Sequence, residues 1–435
     1  MYQSRREEFM RRIGSGSVGI FRSAPEAERR KYRQDSNFYY LTGFDEPDSA
    51  CLIAPNHPEH KFVLFVRPKN WQTEQSSGLR IGVEGAIECY GADVAYPIEE
   101  FAERAPTYLD SAERIYYCFG SDPHYDEKIL SLVKKYAGLI RLQFGVGPNS
   151  IVDAREILHE MRAIKSGVEL KLLRRAAEIS AEAHIAAMKA MRPGIYEYEI
   201  EAVIEYIFRK NGALMPAYGT IVGSGANGTI LHYRTNETLI EDGVLVLIDA
   251  GAEYHYYSGD ITRTIPANGK FSKEQQEVYE VVLASEMAAI ETVKPGATFI
   301  EPLRRAREVM TGGLVRLGIL EGEISQLIAE RKYGKYMSDA FPHWLGMDNH
   351  DAGKYRLKDG TYPVLEPNIV KTVEPGLYLT ADMTEIPEKY RNIGVRIEDD
   401  IVVTAGGYEN LTAEVPKTVA EVEKMMKKKL IFTFP

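Results

Sequence analysis

Cysteine is scarce: three residues in 435, Cys51, Cys89 and Cys118, with no C-x-x-C pair among them. An odd, scattered set excludes a disulfide framework and a zinc finger and suits a reducing compartment, so a cytoplasmic location is expected. Long apolar runs are missing too. No stretch approaches the roughly 18 apolar residues of a membrane span. The opening MYQSRREEFMRRI is charged and lacks the apolar core of a secretory signal. No membrane partner is expected. Nor is positive charge in excess: 53 Lys and Arg stand against 63 Asp and Glu, for a formal net charge of −10. Binding a phosphate backbone needs a basic face, so no nucleic-acid partner is expected. Finally, no G-x-S-x-G elbow occurs and no cysteine has an activating neighbourhood, which leaves nucleophilic acyl transfer without support.

The chain does have an ordinary globular balance, 44% hydrophobic and 27% charged, over a length that exceeds one core. Residues 1–155 alternate helix-like and strand-like segments and read as an α/β domain. EEFMRRI and YDEKILSLVKKYAG are helical in pattern, while NFYYLTGF, SACLIAP, KFVLFV and RIYYCFG are strand candidates. Gly, Pro and Asn in GVGPNSIVD mark a junction. Residues 156–435 read as α+β. Ser166 and Glu169 form an S-x-x-E capping box ahead of a long helix that ends at Pro193-Gly194. YEYEIEAVIEYIFRKNG, KEQQEVYEVVLASEMAAIETV and FIEPLRRAREVMTGGLVRLG are further helices, and strands fill 217–265 and 340–412. Two G-x-G-x-x-G matches, Gly14-Gly16-Gly19 and Gly223-Gly225-Gly228, lack the strand-before, helix-after context of a dinucleotide site. A helix precedes the first, and TILHYRT, after the second, reads as strand.

Chemistry is suggested by acids at the ends of apolar runs. Asp249 follows VLVLI, and Asp260 precedes ITRTI. A hairpin turning near Tyr254 and His255 would set the two aspartates opposite each other, with Cβ atoms about 5 Å apart. His343 and His350 lie in FPHWLGMDNHD, Glu374 ends KTVE, and Glu398 sits in GVRIEDD two residues after Arg396, a spacing that shares one strand face. Singly, each has an ordinary reading: turn aspartate, core histidine, salt-bridged strand glutamate. Together, four carboxylates and an imidazole suit divalent cations such as Mn²⁺, Co²⁺ or Zn²⁺. Four charges of −1 match two such ions, and residue spacing carries the reading no further than a possible dinuclear site.

In order, LHY, LIDAG, SGDITRT, HWLGMDNHD, TVEPGLY and GVRIEDD resemble the pita-bread metallopeptidases of the aminopeptidase P type. RQDSNFYYLTGFDEPDSACLI, LFVRPKN and GLRIGVEGA resemble the creatinase-type domain that precedes their catalytic domain. The resemblance implies an α/β N-terminal domain and an α+β pita-bread catalytic domain. It implies five metal ligands, Asp249, Asp260, His343, Glu374 and Glu398, with Asp260 and Glu398 bridging two ions, most simply Mn²⁺. It further implies a bridging hydroxide that attacks the scissile carbonyl, Glu374 as proton acceptor, and His232 and His350 stabilising the oxyanion. Arg396 would support a bridging carboxylate, and Tyr378 would line the site. The implied substrate is a peptide with proline at its second position, and the implied assembly is a homo-oligomer, dimer or tetramer.

Two positions depart from the pattern. Asp339 stands where a substrate-binding histidine is usual, adding negative charge near the metals. Ser76 replaces a tryptophan that reaches a neighbouring subunit in relatives. An Xaa-Pro dipeptidase with the same ligands is the alternative enzyme, though Asp339 would repel a dipeptide carboxylate. A non-catalytic binding protein on the same fold is the alternative outside enzymes, and five intact ligands argue against it.

Overall fold

The computed structural model describes residues 1–26, 31–110, 112–143, 147–337 and 342–428. It falls into two units, Met1–Met161 and Arg162–Pro435.

The first unit is built on a six-stranded mixed sheet. Its strands are β1 (Ser17–Arg22), β2 (Ala50–Ile53), β3 (Phe62–Val66), β4 (Val94–Pro97), β5 (Arg114–Tyr117) and β6 (Ser150–Asp153), in the order β4-β3-β2-β1-β5-β6. β2 and β3 are buried at every position, as expected of central strands read from near-continuous apolar runs. One strand candidate fails. NFYYLTGF forms the helix Ser36–Thr42. Asp35 caps it by accepting from the Phe38 amide, and Gly43, at φ 69°, ends it in the left-handed conformation. Aromatic content suggested a strand, but cap and stop chemistry decided the outcome.

The second unit packs four long helices around small antiparallel sheets. The capping box at Ser166 and Glu169 starts Gly167–Ala190, and Glu197–Lys210, Lys273–Ile290 and Glu301–Arg316 follow. The last two lie in close contact. A Cβ on Gly313 would meet Val281 Cγ1 at 2.2 Å, so only glycine permits their approach. The strands are β7 (Met215–Pro216), β8 (Ile221–Ser224), β9 (Leu245–Asp249), β10 (Ala252–Tyr254), β11 (Tyr257–Ser258), β12 (Thr262–Pro266), β13 (Val370–Val373), β14 (Gly376–Leu379), β15 (Ile393–Arg396), β16 (Asp399–Thr404) and β17 (Gly407–Asn410). They form sheets β11-β10-β7, β12-β9-β8, β13-β16-β17 and β14-β15. TILHYRT is not a strand: a 3₁₀ turn at Gly225–Thr229 leads into irregular chain that carries His232.

Candidate metal centre

β9 runs as a wholly buried strand and delivers Asp249 at its C-terminal end. Opposite it in β12 stands Thr262, not Asp260. The connection folds into the β10–β11 hairpin, whose turn residues His255 and Tyr256 both have positive φ, 47° and 70°. That is the primed turn a two-residue hairpin favours. It centres between His255 and Tyr256, one residue later than direct pairing of the aspartates requires. The two carboxylates meet instead through the Tyr218 hydroxyl, 2.6 Å from Asp249 Oδ1 and 2.5 Å from Asp260 Oδ1.

His343 is pinned beside β13. Its amide donates to Thr372 Oγ1 at 3.2 Å, and its carbonyl accepts from the Thr372 amide at 3.0 Å. Its Nδ1 lies 3.0 Å from the Trp344 carbonyl, to which it donates, so Nε2 is the atom that would ligate a metal on giving up its own proton. Nε2 faces Asp260 Oδ2 at 3.3 Å and Glu374 Oε1 at 3.4 Å. Glu374 leaves the end of β13 and is held by Thr372 Oγ1 at 3.1 Å. Glu398 precedes β16, and its Oε2 accepts from Thr262 Oγ1 at 2.6 Å. Ligand atoms of Asp260, His343 and Glu398 lie within 4.8 Å of one another. Arg396 binds the group from behind. It donates to Asp249 Oδ2 at 2.5 Å, Tyr378 Oη at 2.9 Å and Thr262 Oγ1 at 3.0 Å.

The charges do not balance internally. Burial, followed by repulsion from Asp260, Glu374 and Asp249, drives the Glu398 carboxyl far above its usual range. Burial likewise raises Asp249 and lifts Glu374 to about 7. Burial works against His343, yet Asp260 and Glu374 hold its imidazole up at about 9. Burial also works against ionised Asp260, whose hydrogen bond with His343 prevails and lowers it. Glu398 Oε1 is buried with no hydrogen-bond partner. A buried acceptor left unpaired costs about 1–3 kcal/mol, more when charged. Four carboxylates, one imidazole aimed inward and one orphaned oxygen fit divalent cations.

These residues line one cavity of about 800 Å³ together with His232, His350, Tyr378, Arg234 and Arg356. The rings of His343 and His350 stand 4.4 Å apart. Burial lowers the imidazole pKa of both His232 and His350, which keeps them neutral. Asp339 lies outside the described residues. Ser76 falls on the short exposed helix Trp71–Ser77, which buries no residue. Sequence reasoning missed Tyr218, Thr262 and Thr372. Tyr218 and Thr262 hold carboxylates across long sequence gaps, Thr372 holds Glu374 two residues on, and no spacing rule announces a hydroxyl.

Residues 171–405 match the model of metallopeptidase family M24, and residues 2–116 match that of the aminopeptidase P N-terminal domain. The chain belongs to metallopeptidase family M24. Among M24 relatives, it is 42% identical to the Xaa-Pro aminopeptidase of Escherichia coli K12, covering 98% of this chain and 97% of that one. It is 40% identical to the Xaa-Pro aminopeptidase of Haemophilus influenzae, over 98% and 96%. Its fold overlays the structure of Pseudomonas aeruginosa aminopeptidase PepP with a TM-score of 0.95 at 46% identity, over 98% and 97%. Zinc-substituted E. coli aminopeptidase P in complex with product matches at 0.94 and 41% identity, over 98% and 97%. These likenesses agree with the pita-bread catalytic domain that the motifs implied. No described helix is long and apolar enough to cross a membrane.

Proposed function

We propose that this M24 enzyme is a metal-dependent aminopeptidase that removes an N-terminal residue preceding proline. The observation that carries the reading is the meeting of Asp249, Asp260, His343, Glu374 and Glu398 in one cavity, with a Glu398 oxygen left unpaired. These five would hold two divalent ions, Mn²⁺ in our assignment. When bound, the ions polarise a carbonyl and make water acidic enough to serve as nucleophile at neutral pH.

The remaining work falls to side chains. Glu374, fixed by Thr372, takes the proton lost by water and delivers it to the departing proline nitrogen. Neutral His232 and His350 donate N–H groups to the oxygen that gains charge in the tetrahedral intermediate. Arg396 keeps Asp249 and Tyr378 in place, so the floor keeps its geometry between turnovers. The protein is assigned to the cytoplasm and to a homo-oligomer, dimer or tetramer. Asp339 stands where the resemblance puts a substrate-binding histidine, and Asp339→His is expected to change turnover of Xaa-Pro peptides.

The test is hydrolysis of Xaa-Pro-Yaa and of the dipeptide Xaa-Pro, each with Mn²⁺ and after chelation. Cleavage of the tripeptide only with metal, and faster than the dipeptide, is expected. Preferred cleavage of the dipeptide would make the chain a dipeptidase. Failure to hold metal or to hydrolyse either peptide would refute the enzyme reading.

A further inference from the structure

Two arginines in the cavity wall have no anion to balance them. Arg234 and Arg356 both line the cavity, and among the described residues neither has an ion-pair partner. The buried guanidinium groups of this unit are paired, Arg396 with Asp249, Arg162 with Asp348 and Asp351, Arg263 with Asp399, whereas Arg234 and Arg356 stand exposed at the cavity wall.

Both are nevertheless held in place. The Arg234 stem lies along Gly219, where an added Cβ would stand 3.2 Å from Cδ and 3.5 Å from Nε. Gly219 follows Tyr218, whose hydroxyl joins the two metal-facing aspartates. Burial is the main cause that lowers the pKa of His232 and His350, and the positive charge of Arg234 adds a smaller push in the same direction on each. Arg356 donates from Nη2 to Tyr362 Oη at 2.8 Å and lies over that ring at 4.8 Å. Tyr362 is itself in the cavity wall. The floor of the cavity is acidic and the two arginines stand on its wall.

A peptide in this cavity presents a cationic amine at one end and anionic groups only further along. The arginines repel the first and match the second, since the guanidinium fork is the side chain best suited to a carboxylate. A cavity of about 800 Å³ is in the range that encloses most of a small ligand.

We propose that Arg234 and Arg356 are specificity residues that select peptides bearing a carboxylate beyond the proline. The proposal rests on the aminopeptidase reading above. The carboxylate has two sources, the C-terminus of a short peptide or an acidic side chain at the third position.

Three substrates separate these sources: Ala-Pro-Ala, its C-terminal amide, and Ala-Pro-Glu amide, each assayed with the Mn²⁺-loaded full chain. Carboxylate-bearing peptides are expected to exceed the neutral amide by about tenfold in kcat/KM, through KM. Preference for Ala-Pro-Ala assigns the C-terminus, and preference for Ala-Pro-Glu amide assigns the side chain. Arg234→Gln and Arg356→Gln are expected to bring the acid-to-amide ratio towards one. Raising salt to about 0.5 M should shrink the ratio in the unaltered enzyme, because exposed charge pairs are screened. A merely structural role for either arginine would change all three substrates alike and leave the ratio intact. That outcome, or equal kcat/KM for all three in the unaltered enzyme, would overturn the proposal while leaving the aminopeptidase reading standing. Absence of hydrolysis of any of the three would remove that reading and the proposal with it.

Discussion

Glu398 and Asp399 are consecutive, both buried to within 1% of full exclusion, yet they enter opposite environments. Asp399 accepts from Arg263 at 2.7 Å, Lys417 at 2.6 Å, Asn410 at 2.7 Å and Thr412 at 2.8 Å. Lys417 also reaches Glu286 at 2.8 Å. Two acids there meet two cations, and although burial opposes the charge of Asp399, Arg263 and Lys417 hold its carboxyl far below the usual range. Glu398 lines the cavity with Asp249, Asp260 and Glu374. Among the described residues, that group pairs with Arg396 and the imidazole of His343, and Glu398 Oε1 is left bare. A buried acid cluster that neutralises itself is scaffold. One that does not is a site awaiting positive charge from outside.

Substitutions should therefore act in opposite senses on the two clusters. Asp260→Asn removes one of the anions proposed to hold the metals. Activity on Xaa-Pro-Yaa is expected to fall at least about a thousandfold, while Glu398→Gln, at the acid that burial and its neighbours drive far above its usual range, should leave the melting temperature in chelator the same or raise it, because like-charge repulsion is relieved. Retention of most activity would sink the two-metal assignment. Arg263→Met removes a cation from the balanced cluster and leaves Asp399 and Glu286 to share Lys417. Unfolding in denaturant should show a loss of about 3–5 kcal/mol. A loss no larger than that of an exposed arginine would show that the balance of the second cluster is not what holds it.

Much of this contrast was legible in the chain, and the limits have physical causes. Asp249, Asp260, His343, Glu374 and Glu398 stood out because each is an acid or imidazole at the end of an apolar run. The capping box at Ser166 and Glu169 is purely local and formed as read. Register was not local. Direct pairing of Asp249 and Asp260 needed the turn one residue earlier, and the positive φ of His255 and Tyr256 placed it later. In NFYYLTGF, strand-like aromatics masked an Asp cap and a Gly stop. Nothing in PAYGT announces that Tyr218 will touch residues 31 and 42 positions away. Such contacts belong to tertiary packing, which periodicity does not encode.

Lys371 completes the comparison as a buried cation without an anion. It is 0% exposed in β13, donates from Nζ to the Phe299 carbonyl at 3.1 Å and lies over that ring at 4.3 Å. Among the described residues it has no ion-pair partner. Burial lowers its pKa to about 7, against which the field of Glu374 works only in part. An unfolded lysine titrates near 10.4. Between those values the unfolded chain binds a proton that the folded chain does not, so stability climbs as pH rises from about 7 towards 10. Below 7 the penalty is present in full and constant. Lys371→Met should erase that climb and stabilise the metal-free protein near pH 6 by on the order of 2 kcal/mol. Urea unfolding in chelator from about pH 6 to pH 10 reads the slope directly. The same climb in the variant would mean that Lys371 keeps its charge inside the fold, and that an unpaired buried ion is less costly here than the Glu398 argument requires.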